Sequence, residues 1–134
     1  MKNLGILSLG LLLSFSAQAH EGHGHSGPEA VNGGIVQEGK QLNVELVTQG
    51  SDVMVYTSGK DGKSINPSDV SLVGTAEPRG KQKSKLDFKP MSNHLHAKVD
   101  AKGAKRFELK LEAKLKSGQG KAADRFTFQV EPEG

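Results

Sequence analysis

Nine consecutive residues constrain the fold of this chain more than any others. In Phe107-Glu108-Leu109-Lys110-Leu111-Glu112-Ala113-Lys114-Leu115 every odd position is apolar and every even position is charged. Wound as a helix, the segment would scatter charge around every face and leave no side to bury. Laid out as a strand, it has one dry face and one wet face, because strand side chains alternate with period two. Such a strand belongs in an antiparallel sheet covered on one side.

The same period recurs along the chain. Leu42, Val44 and Leu46 alternate with Asn43, Glu45 and Val47, while Val53-Met54-Val55-Tyr56 is apolar on both faces and predicts a central strand. Val70-Ser71-Leu72-Val73 predicts a third strand, Leu86 and Phe88 a fourth ending at Pro90, and Leu95, Ala97 and Val99 a fifth. Phe126, Phe128 and Val130 face inward on the last. Between these runs lie turn formers: Gly59-Lys60-Asp61-Gly62, Asn66-Pro67-Ser68-Asp69, Pro78-Arg79-Gly80, Asp100-Ala101-Lys102-Gly103 and Ser117-Gly118-Gln119-Gly120. No amphipathic helix and no internal repeat interrupts the pattern. About seven to eight short strands at this spacing predict an all-β fold, a single antiparallel β-sandwich of the immunoglobulin-like kind, with a small barrel as the alternative.

The first residues follow a different logic. Lys2, the apolar run Leu4–Leu13 and the small-x-small Ala17-Gln18-Ala19 form a secretory signal, too short to remain as a membrane span. Of 134 residues, removal of 19 leaves 115, enough for one modest core. The expected layout is signal peptide 1–19, a flexible His-rich arm over 20–32 and a sandwich over 33–134. The chain has no cysteine, which excludes a lipobox, a disulfide and any thiolate ligand or nucleophile. A soluble periplasmic protein without stable membrane insertion is the expectation.

Charge excludes another class. Lys2 leaves with the signal, so the 18 basic residues fall to 17 against 15 acidic ones, and that balance argues against nucleic acid. Catalytic signatures are missing as well: there is no Gly-x-Ser-x-Gly, His-Glu-x-x-His, Walker loop or Asp-x-Asp-x-Asp-Gly loop. The expectation is a protein that is not an enzyme.

The five histidines carry the remaining chemistry. His20, His23 and His25 follow directly on the cleavage site, where His20 would offer its free amine and its imidazole to one ion. The glycines between them let the chain fold around it. Cleavage one residue later would put His23 third, an arrangement that wraps Cu(II) or Ni(II) in nitrogen. His94 and His96 form a His-x-His; with Leu95, Ala97 and Val99 inward, both face solvent with Cα atoms about 6.5–7 Å apart. Imidazoles so spaced can share an ion, and Met91 could add a thioether suited to Cu(I). The bland alternative is a solvating tail and two incidental surface histidines.

Gly33-Gly34-Ile35-Val36, Leu42-Asn43-Val44-Glu45-Leu46-Val47, Val53-Met54-Val55-Tyr56 and Asp61-Gly62-Lys63, in that order, resemble a group of small periplasmic proteins with His-rich N-termini that occur alongside heavy-metal and copper efflux systems. The likeness covers about the first third of the mature chain. It implies a β-sandwich and a link to metal handling. One position departs: where the group has His before Gly-Gly, this chain has Asn32, so His20, His23 or His25 would have to supply that ligand.

The resulting expectation is a periplasmic metal-binding accessory protein, with copper first and zinc or nickel as alternatives, that buffers ions or hands them to an efflux component. The competing expectation is a non-enzymatic interaction module that docks through an edge strand or the Met54/Tyr56 face, its histidines incidental.

Overall fold

The computed structural model describes residues 28–100, 104, 106–118 and 120–131. The predicted signal segment and His20, His23 and His25 lie outside the described residues.

Among the described residues nine strands, against the seven to eight expected, form two antiparallel sheets, and the antiparallel sandwich is as the alternation predicts. They are β1 (Ile35–Glu38), β2 (Leu42–Gln49), β3 (Asp52–Gly59), β4 (Val70–Pro78), β5 (Ser84–Leu86), β6 (Lys89–Pro90), β7 (Leu95–Lys98), β8 (Phe107–Leu115) and β9 (Asp124–Val130). One sheet has the order β1-β2-β3-β7-β6 and the other β5-β4-β8-β9, so the chain is a two-sheet sandwich and not a barrel. In β8 the odd positions from Phe107 to Ala113 are buried, while Lys110 and Glu112 are exposed. Across the core, β2 and β3 contribute Leu42, Val44, Val53 and Val55, all within 1 % of complete burial. Among the described residues the only helix is a single 3-10 turn, Pro67–Asp69.

Two details differ from the sequence expectation. The Ile35–Glu38 segment, which carries no clear alternation, pairs with β2 as an edge strand. The strand expected from Leu86 through Phe88 to Pro90 is two strands in different sheets: β5 pairs with β4, and β6 pairs with β7. The chain crosses between layers at Asp87-Phe88. Leu86 is buried and Phe88 packs against the same core, so their shared parity holds although the strand does not continue.

The crossing from β3 to β4 is pinned at Asn66. Its side-chain oxygen accepts from the Ser68 N–H at 3.0 Å and the Ser68 hydroxyl at 2.7 Å, capping the 3-10 turn, with Pro67 in the first position. Asn66→Ala is expected to cost about 0.5–1 kcal/mol, at the low end for a lost cap because the site is exposed, read from urea midpoints.

Candidate functional site

Burial of Val53 and Val55 on β3 and of Leu95 and Ala97 on β7 turns their alternate neighbours onto the outer face of the five-stranded sheet. The register then sets those outward residues in rows. Met54 on β3 stands opposite His96 on β7, which stands opposite Lys89 on β6. One row along, Tyr56 lies next to His94, with ring centroids 5.2 Å apart. Across the two-residue turn Ser92-Asn93, the Met91 N–H donates to the His94 carbonyl at 2.7 Å, so Met91 falls opposite His94. Of the sequence-predicted ligands, the fold brings together His94, His96 and the backbone of Met91.

The two imidazoles are half-buried rather than freely exposed. Their centroids are 6.2 Å apart and the rings meet edge to face. Each ring is tied through one nitrogen. His94 Nδ1 lies 2.7 Å from the Asn93 side-chain oxygen, and His96 Nε2 lies 2.9 Å from Asp52 Oδ1. Both partners are oxygen acceptors, so the tautomers they favour carry the proton on those nitrogens. His94 Nε2 and His96 Nδ1 are left as the lone pairs. Asp52 also accepts from Lys98 Nζ at 3.1 Å. The hydrogen bond from His96, then that from Lys98, hold the Asp52 carboxyl below its usual range. Partial burial, and then the charge of His96 beside it, lower the pKa of His94.

The start of the described chain is fastened to the same face. Glu45, on β2 opposite Tyr56, is only 5 % exposed although its position is outward. Its carboxylate accepts from the backbone N–H of Val31 at 3.1 Å, of Asn32 at 2.8 Å and of Gly34 at 2.8 Å, and from the Asn32 amide at 3.1 Å. Gly34 makes this close approach possible, since a Cβ there would sit 2.2 Å from the Leu46 carbonyl oxygen. Burial works to raise the Glu45 pKa, but the bonds from Gly34, Asn32 and Val31 outweigh it and leave it lowered. Asn32, the position at which the resembling group has histidine, is here a donor to this clamp. A groove beside it is lined by Pro28, Val31, Tyr56 and Asn93, so residue 28 lies on the side of the domain that carries His94.

Sequence reasoning passed over Asp52 and Glu45 as site residues and named Met54 only as part of a docking face. Asp52 and His96 are 44 positions apart, and only the β3–β7 register brings them together. Among the described residues, no three of His, Cys, Asp and Glu converge as a metal-holding group.

No family profile matches the sequence, and no curated protein does. Among solved structures, a DUF4426 family protein from Pseudomonas aeruginosa PAO1 superposes with a TM-score of 0.54 at 18% identity, over 78% of this chain and 100% of that one. At that identity the likeness concerns the β-fold alone.

Proposed function

We propose that this is a periplasmic metal-binding accessory protein, copper its principal ion and zinc or nickel its alternatives, that buffers ions or passes them to an efflux component. The observation that carries the reading is the pair His94 and His96: neighbouring imidazoles on one sheet face, each oriented through one nitrogen and each with the other nitrogen left to bind. A carboxylate or amide behind a ligating imidazole fixes its tautomer and raises its basicity, as metal sites commonly require. The arm supports the reading too. His25 precedes Pro28 by three residues, a reach of about 10 Å when extended, and Pro28 lines a groove shared with Asn93.

Titrating Cu(I), Cu(II), Zn(II) and Ni(II) into the mature chain, a form lacking residues 20–25 and a His94→Ala/His96→Ala form tests this. Tight binding is expected in the mature chain and a loss of more than tenfold in each altered form. Binding no stronger than that of a form without histidines would overturn it.

The edge of β1, which pairs with no other strand than β2 among the described residues and where Ile35 is 53% exposed, favours a second reading as a docking module of the cell envelope. A partner retained in the presence of chelator and with all five histidines replaced would favour that reading over metal binding.

A further inference from the structure

We propose that Met54 completes, with His94 and His96, a thioether–imidazole site for monovalent copper on the outer face of the five-stranded sheet. The inference rests on the metal-binding reading above and narrows it to one oxidation state and one added ligand.

Three observations converge on it. First, Met54 is the direct cross-strand partner of His96, and such partners keep their Cβ atoms about 4.5–5.5 Å apart, within easy reach of a flexible thioether. Second, the spacing of the rings suits a shared ion. Their centroids are 6.2 Å apart, a span that two nitrogens each about 2.0–2.1 Å from one ion can bridge once the edge-to-face rings turn to bring both lone pairs toward it. Third, the lone pairs left by the tethers are His94 Nε2 and His96 Nδ1.

The donor set then selects the ion. Two imidazoles and a thioether are borderline and soft ligands, and thioethers favour Cu(I). Zinc sites draw on thiolate, imidazole and carboxylate, and the carboxylates of the adjoining strands are already engaged. Asp52 is shared by His96 and Lys98, and Glu45 is closed by the segment from Val31 to Gly34. Met91, opposite His94 at the hairpin turn, is the rival sulfur.

The test uses the mature chain carrying His20→Ala, His23→Ala and His25→Ala, which silences the arm. Cu(I) is titrated without oxygen against a chromophoric chelator, and the copper edge is examined by X-ray absorption. One Cu(I) per chain with a sulfur neighbour is expected. Met54→Leu should weaken binding at least tenfold and remove the sulfur signal, leave the circular dichroism unchanged, and leave Zn(II) affinity within twofold. If the parent binds Cu(I) through His94 and His96 but Met54→Leu changes neither affinity nor spectrum, or if Met91→Leu alone removes the sulfur, Met54 is not the ligand and the metal-binding reading stands without it. If the parent binds no Cu(I) and His94→Ala changes nothing, the sheet site falls altogether.

Discussion

Asp124→Ala is expected to destabilise the domain by about 2–5 kcal/mol, the largest single loss among polar residues here. Asp124 opens β9 and is 6 % exposed. Its Oδ2 accepts from the backbone N–H of Gln41 at 2.7 Å and of Leu42 at 3.0 Å, where the turn between β1 and β2 ends. Leu42 is fully buried, so its N–H has no route to water once the carboxylate is gone. A stranded buried donor such as the Leu42 N–H costs about 1–3 kcal/mol, and the half-buried Gln41 N–H adds a smaller loss. The turn itself is shaped around the carboxylate, since a Cβ on Gly39 would stand 2.4 Å from Asp124 Oδ2. Asp124→Asn keeps an acceptor oxygen and should cost less than half as much. Urea titration of the three forms measures this. Coincident curves for the alanine variant and the parent would show that the turn finds other partners.

Glu45→Ala should cost about 2–3 kcal/mol despite removing more hydrogen bonds. The reason is exposure: Val31 and Asn32 are at the surface and Gly34 is only half-buried, so donors released by the carboxylate can largely turn to water. What is lost is the net worth of bonds to a charged acceptor, without the full penalty of stranded donors. The pH dependence follows from the lowered pKa. The unfolded carboxyl titrates near 4.5 and the folded one below that value, so the unfolded chain takes up the proton first as pH falls. The stabilisation from Glu45 is complete above about pH 4.5 and disappears as pH falls through the folded value. Urea midpoints of the parent and Glu45→Gln should differ at neutral pH and draw together in acid. A gap that persists unchanged would assign the effect to packing and not to ionisation.

These two carboxylates show where the sequence stopped being legible. Alternation is written in the side chains themselves, so β2, β3, β8 and β9 could be read from spacing alone. Asp124 and Glu45 instead act on backbone N–H groups, which every residue but proline offers and which leave no mark in the sequence. Glu45 looked like an ordinary outward strand residue because its parity is outward. Its burial comes from a segment 11 to 14 positions earlier that folds over it. The same limit hid the layer crossing at Asp87-Phe88: Leu86 and Phe88 both point to the core, and parity does not distinguish one strand from two that face the same interior.

The histidines divide along the same line. Their shared face followed from the neighbours Leu95 and Ala97. Their company on that face did not, because Asp52, Met54 and Tyr56 reach it only through the antiparallel pairing of β3 with β7. A one-residue slip of that register would turn Met54 and Tyr56 toward the core and leave the imidazoles beside different partners. Any metal chemistry here depends on a pairing fixed by buried valines and leucines on the reverse side of the same strands.

The attachment of Asp124 to Gln41 spans 83 positions, and the bond from the Gln37 side-chain amide to the Thr127 carbonyl spans 90. The first hairpin therefore receives an essential acceptor from the last strand. A chain delivered N-terminus first cannot complete that turn until residue 124 has followed. Non-local closures of this kind slow folding, placing β-sandwiches in the range of about milliseconds to seconds.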